Sequence, residues 1–303
     1  ASDVYKRQFI TINVTEGAQY RISGVELTGD MLGLQSELES LIEIENDSIY
    51  NAEVINNAST AMVDKLTTLG YAFATARPTP VVTGPNEAKI VYTIDPGRRA
   101  YVRRVNISGN SKTQDEVIRR EVRQYEASWF DSDSVKLSRD RIDRLGFFDS
   151  VTVEPKPVPG TRDQVDLEVV VKERPTGSVS LGAGYSTSDG VILSGGFSQN
   201  NIFGTGKAFS AEVNTSDSSR TYAVSLTEPY ITPEGISRSI SVYDRRVDMD
   251  ELEIADDVEY ETLGASINWG IPFTEYDRVF LGLKWESTSV DAGTGAPRRY
   301  KQY

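Results

Sequence analysis

From Ser178 to Glu286 the chain repeats one pattern seven times: apolar residues at alternate positions, with serine, glycine, asparagine or charge between them. In 178–186 the apolar positions are Val179, Leu181, Ala183 and Tyr185, and the residues between are serine or glycine throughout. Val191, Leu193 and Phe197 follow, then Phe209, Ala211 and Val213, then Tyr222, Val224 and Leu226. Next come Ile236, Ile240 and Val242, with Arg238 the one misfit on that side. Leu263, Ala265, Ile267, Trp269 and Ile271 precede the last set, Val279, Leu281, Leu283 and Trp285. A period of two belongs to strands with two unlike faces.

A soluble sandwich alternates too, but three features favour a membrane barrel. The second face is filled with groups suited to a wet lumen. The strands run about 9–11 residues, the length that crosses a bilayer at a tilt. Short turns (NIFGTG, EPYITPEG, PFTEYD) alternate with a longer acidic loop (RRVDMDELEIADDVEY), the asymmetry of outer-membrane barrels. The apolar stripe then faces lipid and the bare side faces water. An open sheet in hydrocarbon leaves edge N–H and C=O groups unsatisfied at several kcal/mol each, so seven strands call for more to close the wall.

Before Pro175 the period is different. Residues 14–29, VTEGAQYRISGVELTG, align with 94–109, IDPGRRAYVRRVNISG, at a shift of 80: Gly17 on Gly97, Val25 on Val105, Leu27 on Ile107, Gly29 on Gly109. A shared order at near-constant spacing signals a repeated module, and each copy reads strand, helix, helix, strand, strand. In the first, Asn51 is the expected cap, Val54, Ala58, Met62 and Leu69 face the core, and Gly70 ends the helix. In the second, Thr113 and Glu116 form a capping-box pattern. The helix SVKLSRDRIDRL carries Val135, Ile142 and Leu145 on one face, with Gly146 ending it; Phe147, Val151 and Val153 open the next strand. The boundaries expected are 1–8, an adapter remnant outside the fold; 9–19, the end of a preceding repeat with FITINV (9–14) as its last strand; 20–97 and 98–175, two repeats; and 176–303, barrel. The chain reads as a piece of a longer protein, cut at both ends.

Composition narrows the chemistry. With 45 acidic and 32 basic residues the net charge is −13, which disfavours nucleic acid held through phosphate contacts. The 303 residues contain neither cysteine nor histidine, which removes thiolate zinc sites, disulfides and the commonest general base. No run of about 18 apolar residues suggests a membrane helix. GTGK (204–207) lacks the first glycine and the Ser/Thr of a phosphate loop, and DSDS (131–134) lacks the later glycine and glutamate of a calcium loop. The acidic run 248–259 suits a solvated external loop.

The words DRLGFFDSV (143–151), VPGTRDQVDLEVVVKERPTGS (158–178), GVILSGGFSQNNIFGTG (190–206) and EPYITPEGIS (228–237), in that order, resemble the BamA family, and the similarity runs over essentially all of 9–303. The resemblance implies α+β POTRA repeats (β-α-α-β-β) followed by an antiparallel transmembrane β-barrel, with about seven of roughly 16 strands present here. It implies a role in folding and inserting outer-membrane β-barrel proteins, with the repeats in the periplasm. The partners implied are those unfolded substrates, BamD and other lipoproteins, and outer-membrane lipid; no nucleic acid, catalytic residue, metal or cofactor is expected. Relatives of the same architecture, a TamA-like translocation factor or a two-partner secretion pore, remain alternatives, as does a passive porin or receptor with periplasmic repeats. In this family the first and last barrel strands meet at a weak seam. The edge expected to pair with substrate is therefore Ser178, Val179, Ser180, Leu181, Gly182, Ala183, Gly184 and Tyr185, where Gly182 and Gly184 weaken the strand interior. In IRREVRQYE (118–126), Arg119, Arg120, Glu121 and Arg123 are the expected lipoprotein-docking residues, Glu121 matching an acidic position that pairs with a lipoprotein arginine.

Overall fold

A computed structural model of the chain describes residues 18–187, 189–249, 258–293 and 296. The expectations for 1–8 and for the strand at 9–14, and most of the acidic loop, lie outside these residues. The described chain forms two compact units, and the division runs through the second repeat.

The first repeat is β1 (Arg21–Gly29), α1 (Gln35–Glu39), α2 (Ala52–Thr68), β2 (Thr75–Gly84) and β3 (Glu87–Asp95), in a sheet of order β1-β3-β2. β1 runs parallel to β3 and β2 antiparallel to it. Asn51 caps α2 by accepting the Glu53 N–H at 2.9 Å. The helix buries Ile55, Ala58, Met62 and Leu66 against Ile22, Leu38, Ile90, Tyr92 and Ile94. Tyr92 donates its buried hydroxyl to the Ile55 carbonyl at 2.9 Å, and burial, with Tyr50 nearby, pushes its pKa up to about 12. Leu69 departs from expectation: it caps the helix and is 37% exposed, because the chain leaves the helical path there and Leu66 takes the core position.

The second repeat is β4 (Tyr101–Ser108), α3 (Asp115–Arg119), α4 (Ser132–Arg144), β5 (Phe148–Pro157) and β6 (Gln164–Glu173), in the equivalent order β4-β6-β5. The 80-residue shift survives in three dimensions. Isolated bridges join Arg21 to Ile49 and Tyr101 to Trp129. Gly29 and Gly109 both hold positive φ where a Cβ would run into a backbone carbonyl, that of Ile94 or Val171. The capping box does not form: α3 starts at Asp115 without a side-chain cap. Thr113 is buried and committed elsewhere, its N–H and hydroxyl to Glu173 and its oxygen to Asn201.

The rest is one seven-stranded antiparallel sheet in sequential order: β7 (Gly177–Ser186), β8 (Gly190–Gln199), β9 (Ala208–Thr215), β10 (Ser219–Glu228), β11 (Ser237–Asp248), β12 (Val258–Pro272) and β13 (Arg278–Ala292). Its apolar side chains are not covered: Val179 is 71% exposed, Leu181 87% and Leu283 67%. Among the described residues, the only buried apolar side chains beyond Val171 are Val258 and Ala296. A sandwich would bury that face against a second sheet, so this sheet is a barrel wall. On the other face, Ser178, Ser198, Ser210, Ser225, Ser241 and Ser266 share one register row across six strands. The turns next to the repeats at 200–207 and 229–236 are longer than the opposite connections 187–189 and 216–218, while the connection 249–257, on which the long-loop expectation falls, lies mostly outside the described residues.

Candidate functional site: a free strand edge and the turns beneath it

β7 ends the sheet. All ten of its residues pair with β8, and no strand lies on its other side among the described residues. Every residue from Gly177 to Tyr185 is exposed, so the expected pairing residues Ser178–Tyr185 lie together along one end of the described sheet, as the residues of β13 do along the other. The two glycines differ in what they accommodate. A Cβ on Gly182 would press on the Ser194 hydroxyl, whereas one on Gly184 would meet nothing within 4 Å. A turn of the Ser194 hydroxyl would relieve the first contact, so packing compels neither glycine.

The lipid-facing residues expected from the sequence share one face. The row Val179, Phe197, Ala211, Val224, Val242, Ala265 and Trp285 crosses all seven strands in register. Val179 begins the apolar run of β7, while Trp285 ends that of β13. The stripe therefore slides six residues over six strand steps, about one per strand, the stagger of strands tilted in a barrel wall. Tyr185, Tyr222 and Trp285 close their runs at the end away from the repeats, as an aromatic girdle does. Arg238 lies in this outward register, where Glu228 bonds both to it and to Lys207, the latter at 2.6 Å.

Beneath the wall, three turns hold the last repeat. In the β8–β9 turn, Asn201, Phe203, Gly204 and Gly206 all have positive φ. This bend lets Gln114 N–H donate to the Gly204 carbonyl at 2.9 Å and Asn201 Nδ2 donate to Thr113 Oγ1 at 2.8 Å. A side chain on Gly204 would strike the Lys112 carbonyl, so the GTG of GTGK is a docking turn. On the opposite side of the same loop, Glu173 accepts from the N–H groups of Lys112 and Thr113 and from the Ser111 hydroxyl. Burial works against that carboxylate, but these donors hold its pKa below the ordinary value.

The second and third turns meet the docking residues. Arg120 stacks on the Tyr230 ring at 4.2 Å. Arg141 pairs with Glu121 at 2.7 Å, donates to the Tyr230 hydroxyl at 3.1 Å and pairs with Glu275. Arg123 reaches Glu275 at 3.4 Å. Glu121 is thus 4% exposed and committed within its own chain, not an outward-facing anion, whereas Arg119 pairs with Asp115 on the surface. Sequence reasoning missed Arg141, Tyr230 and Glu275; the signal present was polar residues in the turn words EPYITPEG and PFTEYD.

Burial raises the Glu275 pKa, but the Arg141 hydrogen bond and the charges of Arg141 and Arg123 outweigh it and hold the pKa low. The folded value is depressed, so its contribution is complete above the ordinary glutamate pKa and is lost as pH falls below that towards the folded value. Protease resistance of the last repeat, measured across the acid range, should decline in that window. Glu275→Gln should flatten that part of the decline.

The comparisons agree with this architecture. The POTRA family ("Surface antigen variable number repeat") matches residues 20–97 and 100–174, and the Omp85 superfamily domain matches 201–303. The outer membrane protein assembly factor BamA of Neisseria meningitidis is 34% identical over 300 residues, covering 98% of this chain and 38% of that protein. BamA of Buchnera aphidicola is 27% identical, covering 94% of this chain and 46% of that one. The chain thus spans less than half the length of these curated relatives. The crystal structure of Haemophilus ducreyi BamA lacking POTRA domains 1–3 superposes with a TM-score of 0.75 at 28% identity, covering 89% of this chain and 51% of that one.

Proposed function

The chain belongs to the Omp85 superfamily, among the BamA-type assembly factors, with repeats in the periplasm and barrel in the outer membrane, and from that membership we propose that the whole protein folds and inserts outer-membrane β-barrel proteins. The part of the chain that this proposal turns on is β7, the first strand of a wall that follows the two repeats directly. Its main-chain N–H and C=O groups pair with a substrate strand by β-augmentation. Such bonds carry little sequence information, so one edge serves many substrates. No covalent chemistry enters. The outward side chains, from Val191 and Phe209 to Trp285, face lipid.

The Arg119–Arg123 segment docks the lipoprotein BamD. Because Glu121 is buried against Arg141 and Arg120, it acts by holding this segment in place. Charge pairs of this kind set partner choice and orientation.

Cysteine at Ser180, paired with cysteines along a stalled substrate strand, tests the edge. Disulfides should form with Ser180→Cys and not with a cysteine at Ser225, in the middle of the sheet. Equal yields at both positions would reject the assignment.

A further inference from the structure

Two prolines stand at the centre of an edge strand in the first repeat. β2 ends the sheet β1-β3-β2, and no strand lies beyond it among the described residues. It carries Pro78, Thr79 and Pro80 in register with Tyr92, Val91 and Ile90 of β3. β5, which ends the sheet of the second repeat, carries the same pattern as Pro155, Lys156 and Pro157. In both strands the first proline is partly buried, while the middle residue and the second proline are exposed. The wall strands β7 and β13 contain no proline.

Register decides which way the β2 prolines turn. In an antiparallel pair, residues of one parity bond to the partner strand, and those of the other turn their N–H and C=O groups away. The Ala76 carbonyl accepts from the Ser59 hydroxyl on α2, which marks the even positions of β2 as those turned from β3. Pro78 and Pro80 share that parity, and neither has an N–H to give β3.

A strand laid along this edge would find N–H donors at Ala76 and Val82 and none between them. From Ala76 to Val82 the strand rises about 20 Å at roughly 3.3 Å per residue, the length of a whole ordinary strand. In that gap stand two pyrrolidine rings, which hold a neighbour's carbonyl groups away. Thr79, Pro80, Val81 and Val82 are all exposed, so the described chain does not cover the stretch. The edge is open to solvent and unfit for pairing.

We propose that Pro78 and Pro80 are specificity-determining residues that close β2 to strand addition. An unfolded outer-membrane protein then passes the first repeat without pairing along it and is left for β7. The proposal rests on the reading that such strands are the substrates. In β5 the two prolines lie at the end of the strand, and Phe148–Glu154 before them keep every N–H. The second repeat is therefore less fully closed than the first.

The test uses the whole protein with Thr79→Cys, and as probe an unfolded outer-membrane barrel protein with cysteines along one strand. Disulfide yield should be low with both prolines in place. Pro78→Val with Pro80→Val restores both donors in a residue suited to strands, and should raise the yield severalfold. Ready disulfide formation in the presence of both prolines would overturn the proposal, as would no rise in the valine variant. Disulfides between two copies of the valine variant, in place of the probe, would overturn the substrate strand as the partner excluded. Ser180→Cys, tested beside it, reports on β7 alone, so failure of that reading is told apart from failure of this one.

Discussion

Glu121→Lys is expected to loosen the last repeat from the turns that hold it, at a cost of about 3–5 kcal/mol, the range for breaking a buried ion pair by removing one partner. The reason is the company Glu121 keeps. Arg141 and Arg120 lie within 2.7 and 4.0 Å of its carboxylate, all three side chains largely buried. Arg120 Nε and Nη2 and Arg141 Nε already lack hydrogen-bond partners. Reversing the one central anion leaves Arg120, Arg141 and the new cation around Tyr230, with only Glu275, already shared with Arg123, to balance them. Proteolysis of the last repeat under rising urea should begin at lower denaturant in the variant. The double variant Glu121→Lys, Arg141→Glu should recover part of the loss. Glu121→Gln should show a smaller loss than Glu121→Lys, because it keeps the size without adding a charge. A midpoint unchanged by Glu121→Lys would mean the pair contributes nothing to docking. BamD binding lost in step with this midpoint would mark Glu121 as a positioning residue.

Proline within β7 should produce effects that alternate by position. In an antiparallel ladder successive residues turn their N–H and C=O groups to opposite neighbours. Of Leu181, Gly182 and Ala183, one parity therefore bonds to β8 and the other faces the bare side. Proline removes the donor and adds a ring beside it. At positions bonded to β8 it should destabilise the wall. At positions facing outward the barrel should fold, while insertion of a substrate barrel into liposomes should slow about tenfold or more, from the loss of one or two bonds of about 1 kcal/mol each and the obstruction of approach. Uniform effects at all three positions, harmful or harmless, would argue against main-chain pairing.

Much of the fold was legible because it is periodic. Alternation located all seven wall strands, and the 80-residue shift carried through to bridges and to the matched glycines Gly29 and Gly109. What was not legible depends on residues far apart in sequence. Thr113 has the spacing of a capping box, yet Glu173 and Asn201, 60 and 88 residues away, claim it. Glu121 sits in a charged run that suits a solvated surface, and Arg141 with two barrel turns buries it. Leu69 fits a helical face, but the helix ends one residue earlier. Arg238 interrupts the apolar stripe, and the Glu228 carboxylate that it shares with Lys207 stands on the neighbouring strand. The first wall strand was foreseeable; the turns that fix the repeat beneath it were not.

Insertion by this route depends on peptide groups along one border of the wall being taken up by an arriving strand. Amide hydrogen exchange of Ser178–Tyr185, in the whole protein with and without a stalled substrate, reports on this directly. Slower exchange at alternate amides of this segment, with the interior strand β10 unchanged, is the predicted result. Unaltered exchange along the segment while substrate is bound and inserting would contradict it.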